Sequence, residues 1–256
     1  MMTPSGKIGT VAGLRNYSTQ SLVSHVNFSN DYGFTGGTAF DLSATKKDFG
    51  TPGGYVSVVF GATATPGNIR LDGSTDYLVT QSAISELQTT TVLTVDAWFN
   101  VNSFSSTPPR TLVANNSTST ANPGFGIGII QGSSSSEYYC RGSAVNTSTT
   151  ALLLNPTTVT GASGQWVNGF FTFEFVSGQG LTYSAKLYKP GGVSASQSIL
   201  TSAIGFTSNN PLYIGRRATT TQYFDGSIGA VKIYNRLLTG SEMDFNYERS
   251  KKRYGH

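Results

Sequence analysis

Cysteine is almost missing from this sequence: Cys140 is the only one in 256 residues. That excludes an internal disulfide framework, so the fold does not depend on oxidation. Charge is also scarce. Asp, Glu, Lys and Arg make up 12% of the chain, against about a quarter in an average globular protein. Histidine occurs only as His25 and His256, so a Ser-His-Asp triad away from the chain end would have to use His25. No stretch reaches the roughly 18 apolar residues of a membrane-spanning helix, and membrane insertion is not expected. The first eleven residues carry one charge, Lys7, and no apolar run of signal length, so signal-peptide export is not expected either. No repeat of solenoid or propeller period is present.

What is abundant points to β structure. Thirty glycines, many Ser and Thr residues and 12% aromatics suit many strands joined by tight turns. The aromatic content is too high for a disordered chain. The length fits one large β domain able to bury a full core. The 17 Lys and Arg residues outnumber the 13 Asp and Glu residues, but Arg249, Lys251, Lys252 and Arg253 account for that excess. The remainder is neutral and shows no basic cluster of the kind a nucleic-acid groove requires, so nucleic acid is not an expected partner.

Short apolar runs between turn signals predict a series of strands. They begin at Leu22–Phe28, where Leu22, Ser24, Val26 and Phe28 share one face and Val23, His25 and Asn27 the other. Tyr55–Phe60, Asn68–Leu71 and Tyr77–Val79 follow, and then a polar connector through Glu86. The clearest strands are Thr91–Val101, Gly124–Ile130, Trp166–Val176 and Leu181–Tyr188. In Trp166–Val176, Val167, Gly169, Phe171, Phe173 and Phe175 alternate with Asn168, Phe170, Thr172 and Glu174, the period of a half-buried strand. Leu212–Ile214 and Ile228–Tyr234 complete the series. Segments 102–123 and 131–164 are rich in Ser, Thr, Asn and Pro and contain the longest predicted loops. One helix is predicted: Thr239-Gly240-Ser241-Glu242 has capping-box form, with Leu238 and Met243 placed as a hydrophobic staple. Residues 1–20 read as an N-terminal arm, 21–249 as one sandwich domain and 250–256 as a basic C-terminal tail.

The order of these pieces resembles the concanavalin A-like, laminin-G-type jelly-roll family. The resemblance rests on Asp41-Leu42-Ser43, Leu71-Asp72-Gly73-Ser74-Thr75-Asp76-Tyr77-Leu78, Leu93–Phe99, Leu212–Gly215 and Phe224–Thr239, and covers roughly residues 22–249. It implies an all-β fold of two antiparallel sheets, a jelly-roll sandwich, with one short C-terminal helix. The ending, Phe245-Asn246-Tyr247-Glu248-Arg249 through Lys252-Arg253-Tyr254-Gly255, resembles versions of this domain in tailed-phage structural proteins. That implies a virion location, assembly in a host cytoplasm, and a non-enzymatic role as a capsid decoration, fibre or tail subunit. The expected partners are other virion subunits and copies of itself. The alternative function is a carbohydrate-binding adhesin that recognises host glycans through loops 102–123 and 131–164.

Glycosidases sharing this sandwich carry paired carboxylates on one strand, one as acid and one as nucleophile. Asp96 and Glu174 each stand alone on a strand and Glu137 lies in a predicted loop, so all three read as solvent-facing and no catalytic residue is expected. Cys140 has only Arg141 as a basic neighbour and no defined histidine partner, so a reactive thiol is not expected. His25 reads as a polar-face strand histidine. No cofactor is expected. Some relatives hold a structural calcium near the segments of Asp72, Asp76 and Asp225, but Gly229 and Ala230 replace the family's usual Asp-Glu. Trp98 and Trp166 read as core residues. Tyr138, Tyr139 and Tyr223, in or near loops, are the candidate glycan contacts, and Arg249, Lys251, Lys252 and Arg253 the candidate partner-docking residues.

Overall fold

The computed structural model describes residues 21–28, 34–35, 38–39, 42–43, 49–50, 64–65, 68–104, 109–116, 123–132, 137–145, 152–154, 160–201, 205–206, 208–218 and 222–256. The predicted arm at 1–20 and the predicted strand at 55–60 lie outside the described residues. Twelve strands carry the architecture. They are β1 (Leu22–Asn27), β2 (Asn68–Asp72), β3 (Leu78–Ala83), β4 (Val92–Ser103), β5 (Arg110–Ala114), β6 (Gly124–Gln131), β7 (Glu137–Val145), β8 (Trp166–Val176), β9 (Gly180–Lys189), β10 (Gly192–Leu200), β11 (Pro211–Ile214) and β12 (Asp225–Tyr234). Two helices join them, the single turn α1 (Ser85–Gln88) and α2 (Gly240–Ser250), the latter continued by a 3-10 turn, Lys251–Tyr254.

The first sheet runs β10-β9-β8-β4-β12-β2 and ends on a short strand at Ala64–Thr65, while β1 also pairs with β12. The second runs from Leu152–Leu154 through β7-β6-β5-β11-β3 to short strands at 49–50, 38–39 and 34–35. Every described pairing is antiparallel. The protein is therefore the two-sheet sandwich that the family resemblance implies. Val95, Phe99, Phe171 and Phe173 of the first sheet meet Leu112, Phe125, Ile127 and Tyr138 of the second in one continuous core.

Several predicted features are corrected. Segments 102–123 and 131–164 are not simply loops: they contain β5, β7 and short strands at Leu152–Leu154 and Thr160–Ala162. The connector before Glu86 continues β3 to Ala83 and then forms α1. In β1 the strict alternation breaks at a register shift between Leu22 and Ser24. Val23 and Val26 then both reach the main core, and Leu22 joins a smaller cluster outside it. A bulge of this kind adds one residue and re-aims those that follow.

That smaller cluster explains where the helix sits. On the outer face of the first sheet Phe170, Tyr188 and Tyr234 pack with Leu22 and Leu238, covered by Met243 and Tyr247 of α2. The predicted capping box is present: Thr239 Oγ1 accepts from the Glu242 amide at 3.3 Å, and Glu242 Oε2 accepts from the Thr239 amide at 2.9 Å. Glu242 also pairs with Arg236 at 2.6 Å, which ties the helix start to the end of β12.

Candidate functional site

The outer face of the first sheet is largely used by the chain itself. Asp96, expected at the surface, is 1% exposed and paired with Lys232 at 2.9 Å. Asn168 Nδ2 donates to Asp96 Oδ1 at 2.8 Å, and Asn246 Nδ2 of α2 donates to Asp96 Oδ2 at 3.2 Å. The helix therefore converts an outward strand position into a buried one, and supplies the hydrogen bonds a buried carboxylate requires. His25 lies opposite Lys232 across the β1–β12 ladder and is likewise buried, not on an open polar face. Burial, with Lys232 second, pushes its pKa down to about 3.

The C-terminal residues 250–256, read from the sequence as a basic tail, continue this cover. Trp98 donates its indole N–H to Ser250 Oγ at 2.8 Å. Tyr254 is buried and stacks on Trp98, and its ring centroid lies 4.8 Å from that of Trp166. Trp98 is thus buried as expected but on the outer face, and Trp166 is half-buried there, not in the main core. His256 donates from Nε2 to the Trp166 carbonyl at 2.9 Å. Of the candidate docking residues, Lys251 pairs with Glu248 at 2.8 Å and Arg253 donates to Asn27 Oδ1 at 3.0 Å. Arg249 lies over the Phe245 ring, and Lys252 is exposed. The sequence also gains a reason for departing from the family at Gly229: a Cβ there would sit 2.3 Å from the Tyr254 hydroxyl.

The outer face of the second sheet carries an aromatic cluster. Leu212 and Ile214 of β11 point into the core, so Tyr213 between them points out. Tyr213 meets Tyr77 with ring centroids 6.2 Å apart, and Tyr77 meets Tyr223 at the same distance. Arg216 lies over Tyr77 at 4.5 Å and over Tyr223 at 5.4 Å. All four side chains are half-buried. Arg110 fixes the segment beneath by donating to the Gly73 carbonyl at 2.7 Å and the Tyr223 carbonyl at 3.3 Å. Farther across the sheet, Arg217 lies over Gly126, where a Cβ would meet its Nη2 at 2.7 Å, and Arg217 donates to Ser143 Oγ. Burial, then the neighbouring charge of Arg141, lowers the Arg217 pKa to about 10.

Of the three candidate glycan tyrosines, Tyr223 belongs to this aromatic patch. Tyr138 does not: it is fully buried, packed near Phe99 and Phe104, and its phenol is pushed upward by burial. Its strand alternates, so Tyr139 faces out and Tyr138 faces in. Tyr139 is three strands from Tyr213 in the sheet order, about 14 Å at the usual strand spacing, and is not part of the cluster. Sequence reasoning missed Tyr77, Tyr213 and Arg216. The flanking core residues Leu212 and Ile214 were the available signal, since alternation turns Tyr213 outward.

Asp96 and Glu174 do not form a catalytic carboxylate pair. Asp96 lies opposite Phe170 and Glu174 opposite Val92, so the two acids are offset by four residues on adjacent strands, about 13 Å along the sheet. That exceeds the separation glycoside hydrolysis uses. The three candidate calcium ligands do not fit the ion. Asp72 accepts from the amides of Ser74, Thr75 and Asp76 and from the Ser74 and Thr75 hydroxyls. Burial opposes its ionisation, but those hydrogen bonds outweigh it and hold its pKa well below the usual range. Asp225 is paired with Arg70 at 2.7 Å and accepts from Asn102 and Ser103. Among the described residues Asp76 Oδ1 alone of these oxygens is buried without a hydrogen-bond partner, and no group of three or more metal-ligating side chains is present. Calcium takes six to eight oxygens.

Two antiparallel sheets packed face to face, with one C-terminal helix laid on an outer face, define the jelly-roll sandwich class of domain. Residues 72–243 match the laminin-G-type family described as the concanavalin A-like lectin/glucanases superfamily, and the chain belongs to it. No sequence among curated proteins matches the chain. Among solved structures, the binding domain of Paraclostridial Mosquitocidal Protein 1 is 15% identical with a TM-score of 0.56, over 91% of this chain and 52% of that one. A botulinum neurotoxin type C structure, whose cell entry depends on interaction with two ganglioside molecules, is 14% identical with a TM-score of 0.55, over 90% and 51%. Domain 4 of AbnA, an extracellular GH43 arabinanase from Geobacillus stearothermophilus, in complex with arabinotriose, is 16% identical with a TM-score of 0.55, over 88% and 98%. The chain spans about half the length of the toxin structures it matches. At these identities the likeness shows the shared fold.

Proposed function

We propose that this domain is a non-catalytic carbohydrate-binding module that holds its glycan against the outer face of the second sheet. The observation that carries the reading is the cluster of Tyr77, Tyr213 and Tyr223 beneath Arg216. Aromatic rings give apolar surface for the C–H face of a sugar, and the tyrosine hydroxyls and the guanidinium lying over Tyr77 and Tyr223 give polar contacts beside it. The ganglioside and arabinotriose named for two structures of the same fold support a saccharide as the ligand class. Binding of the purified chain to an array of bacterial and animal glycans, followed by titration of the best ligand, tests it. A Tyr77→Ala, Tyr213→Ala or Arg216→Ala variant is expected to weaken binding at least tenfold with the melting temperature retained. Wild-type binding to no glycan, or unchanged affinity in all three variants, would overturn the proposal.

The place where such a module works is a separate proposal. The resemblance of residues 245–255 to phage structural proteins supports display on a virus particle, where a glycan-binding sandwich would serve attachment. Mass spectrometry of purified particles tests this, and absence of the chain from them would refute it.

A further inference from the structure

Strand β10 closes one edge of the first sheet, and among the described residues its only ladder partner is β9. The nine residue pairs from Leu181↔Leu200 to Lys189↔Gly192 run without a register shift, so the edge is regular over about 30 Å. Edge strands of soluble proteins are normally protected by charges, proline, bulges or shortness. This strand, Gly192-Val193-Ser194-Ala195-Ser196-Gln197-Ser198-Ile199-Leu200, has none of these. No ionisable residue occurs anywhere from 190 to 210. Val193 and Ile199 are 54% and 62% exposed, the two most exposed large hydrophobics among the described residues. Both point to the same outer face, because their partners Tyr188 and Thr182 alternate with the core residues Leu187 and Leu181.

We infer that β10 joins two copies of this chain, edge to edge and antiparallel, about a two-fold axis at Ser196. The strand is self-complementary in that register. Val193 stands opposite the partner's Ile199, Ser194 opposite the partner's Ser198, Ala195 opposite the partner's Gln197, and Ser196 opposite its own copy. The two exposed apolar side chains of each copy therefore cover those of the other, and the Ser pairs fall together on the opposite face. A slip of two residues in either direction breaks this match, placing Val193 against the partner's Gln197 or Thr201. A two-fold contact requires one surface patch to complement itself, and the absence of charge leaves no like-charge repulsion across the axis. The two first sheets would merge into one continuous sheet. The tyrosine cluster, on the other sheet, plays no part in this contact.

Sedimentation equilibrium of the 256-residue chain tests the inference. A concentration-dependent dimer is expected for the wild type. V193K/I199K, which sets four lysines against one another, is expected to weaken association at least tenfold with unchanged circular dichroism and melting temperature. V193K/I199E places lysine opposite glutamate at both ends and is expected to restore the dimer. In the S196C variant a short bismaleimide is expected to cross-link the dimer faster than in an S177C control at the exposed turn, while the buried native Cys140 stays silent. A wild type that stays monomeric at its highest soluble concentration, or a dimer that survives V193K/I199K, would overturn the interface. Equal cross-linking of S196C and S177C would overturn the register.

Discussion

Tyr254 stacks on Trp98 with ring centroids 4.2 Å apart and planes inclined by 17°. Tyr254 thereby buries an indole in the middle of the first sheet, on a face that otherwise meets water. The contact assigns the C-terminal segment to the stability of the domain. Tyr254→Ala is expected to destabilise the protein by about 2–4 kcal/mol, the range for truncating a buried aromatic that also loses a ring partner. Lys252→Ala, at an exposed position of the same turn, is expected to change stability by less than about 0.5 kcal/mol. Urea unfolding of the two variants compares them directly.

Gly229→Asp restores the acidic residue usual in the family and is expected to displace Tyr254, whose ring would lie within 2.5 Å of the new Cβ. The expected cost is about 1–3 kcal/mol. Tryptophan fluorescence should report it at native pH, as Trp98 gains solvent. An emission spectrum and urea midpoint like those of the wild type would show that the glycine serves no such role.

The Asp96–Lys232 pair has a second consequence. Asp96→Asn leaves a buried ammonium without its counter-charge and is expected to cost about 3–5 kcal/mol. Asp96→Leu with Lys232→Met removes both charges and is expected to recover most of that loss. Failure of the double variant to recover would mean that Asn168 and Asn246, which also bind Asp96, matter more than the ion pair itself.

His25 sets an acid limit. Its folded pKa of about 3 lies below the ordinary 6.5, so below pH 6.5 the unfolded chain binds a proton that the folded chain refuses. Stability is therefore fully present above pH 6.5 and declines as pH falls from 6.5 toward 3. The slope approaches about 1.4 kcal/mol per pH unit, and the loss between pH 6.5 and 5 comes to about 1.5 kcal/mol. Most carboxylates stay ionised above pH 5, so that window isolates the histidine. His25→Gln is expected to flatten it. An equal pH slope in wild type and variant would assign the acid sensitivity elsewhere.

Calcium should have no effect. With Asp72 and Asp225 occupied by protein donors, the melting temperature is expected to be the same in calcium and in chelator. A shift of more than about 2 °C on adding the ion would contradict the fit argued from these side chains.

Alternation made the central strands legible because their two faces meet different environments. In β8 the inward Val167, Phe171 and Phe173 and the outward Asn168 and Thr172 follow the structure closely. The capping box at Thr239 was equally plain, since both of its hydrogen bonds are local. β7 and β10 were not legible. In β7 Tyr138, Cys140 and Gly142 face inward and do not read as an apolar series, and β10 is a polar edge strand with little burial on either face. The buried state of Asp96 depends on Asn246, 150 residues later, and no local pattern encodes that. Tyr138 and Tyr139 differ only in the direction the pleat turns them. The tyrosine cluster joins residues 77, 213 and 223 through sheet pairing, so it becomes visible only once the register is known.

His256 is pinned beside Trp166 on the back of the first sheet, whereas Tyr213 looks out from the front of the second. A molecule tethered at its last residue to a bead, a sensor chip or a fusion partner would thus stand with its aromatic face directed away from the support. An anchor placed at residue 256 therefore leaves that face open to the solution.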